Sequence, residues 1–297
     1  MSDIINEDRI QLEKLASTIF SDPHLLEVER LGGMTNRTYA VTIKSGKYIF
    51  RLPGEGTEVL INREHEKIST ELASSLGIDA PLIYIDAKSG IKISTYIKDA
   101  VTMSSETLKE PQNVKDAARL FYSLHTCGTD TGIPFEVFEM AGGYEKIIRD
   151  NNVSFYEDYP DIRREIMAIK EEVDLLSIPK APCHNDPLCE NWVRNDERMY
   201  LVDWEYAGMN DPMWDLADLS IESSYDKDLD DMLLYSYFNR TPTSDEILRF
   251  HANKIYLDFL WSLWGKTRAP YDGEPMEEYA LARYVRLKSN LKAFTYL

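Results

Sequence analysis

Cysteine is scarce in this chain. There are three, Cys127, Cys183 and Cys189, and no two form a C-x-x-C pair. An odd count without that spacing argues against a disulfide framework and against a structural zinc site. Long apolar runs are also missing: none approaches the roughly 20 residues needed to span a bilayer. The stretch MSDIINEDRIQLEKLASTIF mixes charges and lacks a basic-then-apolar export signal, so a cytoplasmic protein is the expectation. Basic residues are in deficit, 33 against 51 acidic ones, for a net charge of −18. No basic stripe is visible, which argues against a nucleic-acid binder. The acidic excess would attract a cationic small molecule, although on composition alone solubility is the simpler account.

What is present suits a globular chain. Apolar residues make up 43% of 297 positions, enough for two modest domains or one large one with a real core. Residues 5–20 read as an amphipathic helix. Glu27–Leu31, Thr38–Ile43 and Lys47–Leu52 are short β-rich runs broken by Gly33 and Ser45-Gly46. Residues 57–76 return to helical spacing, with Leu60, Ile61, Ile68, Leu72 and Leu76 on one side. Ile78–Ile85 and Ile91–Ile97 flank a turn at Lys88-Ser89-Gly90. The first third is thus a small α+β lobe, residues 1–97. Residues 98–112, with Pro111, read as a linker opening a mainly helical lobe, 98–297. Helices are expected there at 113–126, 160–176, 227–238, 244–266 and 276–294, with two β-like runs at Asn191–Arg194 and Met199–Val202. There is no internal repeat and no low-complexity segment.

The segment His184-Asn185-Asp186-Pro187-Leu188-Cys189-Glu190-Asn191 fits H-x-D-x-x-x-x-N. Phosphoryl transfer needs a carboxylate beside the attacking hydroxyl, a role open to Asp186. It also needs oxygen ligands for Mg2+ on the ATP phosphates. Asn191 can supply an amide oxygen, and Asp203, at the end of the run Tyr200–Val202, a carboxylate. His184 alone is expected to brace the loop. Gly32-Gly33-Met34-Thr35-Asn36-Arg37 joins two strands, and Gly33 and Asn36 are its candidate nucleotide contacts. Glycines let backbone N–H groups approach phosphates, though Gly-Gly between strands is ordinarily only a turn. Arg51 ends the next strand and could meet the α/β phosphates. Glu64, on the following helix, is expected to hold it.

These residues, in this order, resemble the choline/ethanolamine kinase branch of the aminoglycoside-phosphotransferase-like kinases, the bacterial LicA type above all. The resemblance runs from about Leu31 to Leu287 through LGGMTNRTYAV, INREHEKIS, HNDPLCENW and LVDWEYAGMNDPMWDLADLSIE. It implies a bilobal protein-kinase-like fold with ATP against a hinge near Thr95–Asp99, which includes Tyr96. It further implies Asp186 as catalytic base, Asn191 and Asp203 as Mg2+ ligands, and Glu205 as a second catalytic group supporting the metal or the loop. One departure is Pro187-Leu188-Cys189, where relatives more often have leucine first and proline later.

The acceptor pocket is expected in the second lobe. Trp261 and Trp264 lie three apart on one helix, Tyr279 sits on the next, and Glu222 and Tyr225 follow Asp203. On spacing alone such aromatics read as core. The resemblance implies instead that they enclose the trimethylammonium group of choline, which has no N–H to donate and is held by aromatic faces and a nearby carboxylate. Ethanolamine is the close alternative. An aminoglycoside or other small alcohol is the next, and a catalytically dead binding module is the reading from another class.

Overall fold

The computed structural model describes residues 6–31, 36–54 and 61–294. The expected first-helix residue 5, the turn at Gly32–Thr35 with Gly33, and positions 57–60 with Leu60 lie outside the described residues. The chain divides into two compact units. The first is Met1–Met103 with Glu190–Ala207, and the second is Ser104–Cys189 with Gly208–Leu297.

The first unit opens with α1 (Asn6–Phe20). Strands β1 (Glu27–Arg30), β2 (Arg37–Ile43) and β3 (Gly46–Leu52) follow, then helix α2 (Arg63–Ser75) and strands β4 (Leu82–Asp86) and β5 (Ile91–Thr95). The five strands form an antiparallel sheet in the order β1-β2-β3-β5-β4. Alternation places Tyr39, Val41 and Ile43 of β2 on one face with Phe50 and Leu52 of β3 and Ile91 and Ile93 of β5. They form one cluster with Leu12 and Ala16 of α1. Each large apolar side chain buried there contributes about 1.5–3 kcal/mol. Tyr39 donates its hydroxyl to Asp8 of α1 at 2.5 Å, which fixes the helix on the sheet.

Residues 190–207 join this unit although they come late in the chain. Strand β7 (Ala181–Cys183) belongs to the second unit, whereas β6 (Val101–Thr102) pairs antiparallel with a strand that follows β7 in the chain. That later strand is β8 (Trp192–Arg194), and it forms a hairpin with β9 (Met199–Leu201). The hairpin turn is closed by Asn195, whose side chain accepts from the backbone N–H of Glu197 and Arg198 at 3.1 and 3.0 Å. Leu201 N–H donates to the Ile78 carbonyl at 3.0 Å, and Arg198 to the Gly77 carbonyl at 2.9 Å. A single cut after residue 97 does not describe this arrangement, because strand pairing between distant segments is not visible in local sequence.

The second unit is mainly helical. It holds α3 (Ser105–Leu108), α4 (Pro111–His125), α5 (Val137–Asp150), α6 (Tyr159–Val173), α7 (Met213–Glu222), α8 (Lys227–Phe238), α9 (Ser244–Asp272) and α10 (Glu274–Phe294). The expected linker is largely structured: Pro111 sits in the first turn of α4, where its missing N–H costs nothing. Besides the short α3, which lies in the expected linker, α5 and α7 escaped the sequence reading. α5 contains Gly142-Gly143, which weakens its helical signal. α7 is buried through nine of its ten residues, so it has no polar face to mark a period. The long α9 starts at a capping box, with Thr243 accepting from Glu246 N–H and Glu246 accepting from Thr243 N–H. Strand β10 (Gly208–Asn210) pairs antiparallel with β7, and the two strands bracket the segment that carries Asp186.

Candidate active site

In the second unit, the loop after β7 is held by one residue of α7. Asp215 Oδ2 accepts the backbone N–H of His184, and its Oδ1 that of Asn185, both at 2.8 Å. His125 of α4 meets Asp215 through Nε2 at 3.0 Å and Tyr237 through Nδ1 at 3.0 Å. Asp215 and His125 therefore fix the backbone just before Asp186. Cys183 lies close to both, but the His125 nitrogens are engaged and burial pushes the thiol up, so the cluster acts as a brace. Asn185 takes a left-handed φ of +67° that a non-glycine residue adopts only when its surroundings enforce it. Asn210 donates to its side-chain oxygen at 3.0 Å, and Trp214 Nε1 to its carbonyl at 3.0 Å. His184, wholly buried, accepts the Asp186 backbone N–H on Nδ1 at 3.3 Å. Asp186 itself is half-buried.

The aromatic residues of the same unit meet edge to face. Trp261 and Trp264 have ring centroids 6.2 Å apart at 88°, and Trp264 and Tyr279 are 5.8 Å apart at 76°. Gly265 makes this approach possible: a Cβ there would lie 2.9 Å from Tyr279 Cδ1 and from Ala280 Cβ. Trp261 is buried, whereas Trp264 and Tyr279 keep part of their surface open. Tyr225 donates its hydroxyl to the Leu108 carbonyl at 2.7 Å. Glu222, the carboxylate expected beside these aromatics, is paired with two arginines. Its Oε1 accepts from Arg283 at 2.5 Å and from Arg286 at 3.1 Å, and Arg283 also lies 4.8 Å from the centre of the Tyr279 ring.

In the first unit a second group of charges converges. Arg51 pairs with Glu66, which is 1% exposed, and not with the expected Glu64, which is exposed. The reason is the start of α2 at Arg63, capped by Asn62: two residues of helix turn the side chain by about 200°, so only one of the two glutamates faces the sheet. Burial alone would raise the Glu66 carboxyl. Arg51 and Arg63 outweigh it and hold the group below its ordinary 4.5. Carboxylate oxygens of Glu66, Asp203 and Glu205 lie within 4.8 Å of one another. Arg51 Nη1 stands 3.7 Å from Asp203 Oδ1, a buried oxygen that makes no hydrogen bond. Asp203 has a left-handed φ of +71°. Burial, then the charges of Asp203 and Glu66, push Glu205 up to about 7, against Arg51 and a 3.4 Å hydrogen bond from Asn36. The Val202 N–H donates to the Asn191 carbonyl at 2.9 Å, bringing the Asn191 and Asp203 backbones together. Tyr96 follows β5 with Lys47 4.4 Å above its ring. An all-oxygen donor set of this kind fits a hard divalent cation.

Residues 28–265, well over half of the chain, match the choline/ethanolamine kinase family. The chain belongs to this family. Protein LicA of Haemophilus influenzae is 31% identical over 274 residues, covering 89% of this chain and 79% of that one. The crystal structure of a choline/ethanolamine kinase family protein from Mesorhizobium loti is similar with a TM-score of 0.86 and 34% identity, over 96% of this chain and 94% of that one. Choline kinase LicA from Streptococcus pneumoniae aligns at a TM-score of 0.81 and 33% identity, over 97% and 100%. This choline/ethanolamine kinase family member has the expected protein-kinase-like fold and is an ATP-using kinase. No helix among the described residues is long and apolar enough to cross a membrane.

Proposed function

We propose that the chain transfers the γ-phosphoryl group of ATP to the hydroxyl of choline, giving phosphocholine and ADP. The observation that carries choline as acceptor is the edge-to-face set Trp261, Trp264 and Tyr279, with Trp264 and Tyr279 partly open. A quaternary ammonium has no donor hydrogens, and each aromatic face toward it contributes about 0.5–2 kcal/mol. Family membership supports the same reading.

The roles divide by unit. In the second unit Asp186 orients the acceptor hydroxyl and takes its proton, on a loop whose backbone Asp215 and His125 hold still. The transition state of phosphoryl transfer is loose, so orientation carries a large share. In the first unit Arg51, held by Glu66, meets the nucleotide phosphates, with Asn36 and Tyr96 as further nucleotide contacts. Asp203 and Asn191 are the residues that would hold Mg2+, which when bound neutralises charge on the phosphates. Glu205 supports that group through Asn36 and Arg63.

Ethanolamine is the second reading. The family the chain belongs to comprises choline and ethanolamine kinases, and a primary ammonium with three N–H donors would look for polar acceptors beside the aromatic faces. The deciding experiment is ADP release by the purified protein with Mg-ATP, with choline, ethanolamine and kanamycin compared as acceptors. Turnover strongest with choline is expected. Turnover confined to ethanolamine or kanamycin would reassign Trp261 and Trp264 to the core.

A further inference from the structure

α7 carries three carboxylates at Asp215, Asp218 and Glu222, three and four residues apart and so on one side of the helix. Their surroundings differ. Asp215 accepts two backbone N–H groups and His125. Glu222 has two arginines. Asp218, between them and 1% exposed, has nothing: both oxygens are sealed from solvent and neither makes a hydrogen bond. A buried carboxylate without a partner is destabilising and calls for an explanation.

The neighbouring elements do not supply a partner. Arg283 of α10 is engaged by Glu222 and stands over Tyr279. On α9, Lys254 is paired with Asp230 of α8 at 2.5 Å, and Asp258 with Arg286. On α4, His125 is held by Asp215 and Tyr237. The charges Asp218 feels most are Glu222, Asp186, Arg283 and Asp215, and Tyr279 in turn feels Asp218.

Resting on the reading of a cationic alcohol as acceptor, we propose that Asp218 is a specificity-determining residue, a buried carboxylate whose missing countercharge is the acceptor's own ammonium group. Because both oxygens are sealed, it acts through space in a low-dielectric interior and not by touching the acceptor. In the empty protein, burial, then the charges of Glu222 and Asp186, push the carboxyl well above its ordinary 3.8, against Arg283. Burial without a countercharge thus favours its protonated form. When the cation arrives, the O–H bond breaks, the proton leaves to solvent, and the carboxylate remains with the ammonium as its countercharge. Binding of the cation therefore releases up to one proton. Affinity rises with pH, by up to about tenfold per unit, until the group is ionised in the empty protein as well.

The same linkage fixes a sign for stability. A carboxyl raised by folding favours the folded state at low pH. That contribution declines as pH climbs from about 4 through the raised value. Asp218→Asn, which removes the charge and keeps the shape, is therefore expected to melt higher than the parent near pH 8, while binding choline about tenfold more weakly there. A residue with a purely structural role would do the reverse on stability.

The test is isothermal titration calorimetry of the full chain with choline, and separately with ethanolamine, in buffers of differing ionisation enthalpy between about pH 6 and 9. The neutral isostere 3,3-dimethylbutan-1-ol serves as control. The expected result is proton release with both cations and none with the neutral alcohol. Asp218→Asn should abolish the release and weaken only the cations. Cation binding with no proton release, and unchanged affinity in Asp218→Asn, would overturn the inference while leaving the acceptor assignment intact. Absence of binding by either cation would overturn the acceptor assignment and the inference with it. Parent-protein proton release is read without any variant, so it remains decisive if Asp218→Asn does not fold.

Discussion

The two units treat clustered carboxylates differently. In the first, Glu66, Asp203 and Glu205 converge from separate segments around Arg51 and Arg63, and the arginines decide which stay ionised. Glu66 is held below its ordinary value while Glu205 rises to about 7. In the second, Asp215, Asp218 and Glu222 run along one helix, and each partner is different: backbone N–H groups, nothing, and two arginines. Residue type alone therefore does not assign a role. The partner does, and the partner comes from the fold.

That contrast can be broken at its strongest point first. Asp186→Asn is expected to lower turnover by about 10²–10⁴-fold. Mg-ATP should still raise the melting temperature of the variant, because Asp186 belongs to the second unit and the arginine–carboxylate cluster to the first. Near-normal turnover in steady-state assays would contradict the role of Asp186. Next, Glu66→Gln and Glu64→Gln separate the observed pair from the expected one. Breaking the buried Arg51 pair at Glu66 costs about 3–5 kcal/mol, read by urea unfolding. The exposed Glu64 change stays within about 0.5 kcal/mol. Equal effects would mean that Arg51 has no fixed partner. A smaller effect is expected for Gly265→Ala. Its added methyl meets Tyr279 and Ala280 at 2.9 Å, so overpacking costs about 1–3 kcal/mol. The KM for choline should rise while that for ATP holds. A rise in both would show that the change spreads beyond the aromatic set.

How much could be read in advance follows from how local each feature is. Asp186, Asn191 and Asp203 stand at short, fixed spacing, so the kinase family was legible from their segment, while the role of each remains a proposal. The β-rich runs were legible because alternation in β2 and β3 is clean. Glu66 was missed by two positions because the start of α2 decides which glutamate faces Arg51, and that start depends on the Asn62 cap. Asp215 and Asp218 were missed because α7 is buried almost throughout and shows no amphipathic period. The arginines on Glu222 come from α10, 61 and 64 residues away, and no local pattern joins them. The membership of 190–207 in the first unit rests on β6–β8 pairing, again between distant segments.

The central claim is that the aromatic set on α9 and α10 selects choline. The most direct measurement is the KM for choline and for ethanolamine of Trp264→Ala beside the parent. The account predicts about a tenfold rise for choline, equal to about 1.4 kcal/mol of lost cation–π contact, with a smaller rise for ethanolamine and an unchanged KM for ATP. An unchanged KM for choline would contradict it and return Trp264 to the core.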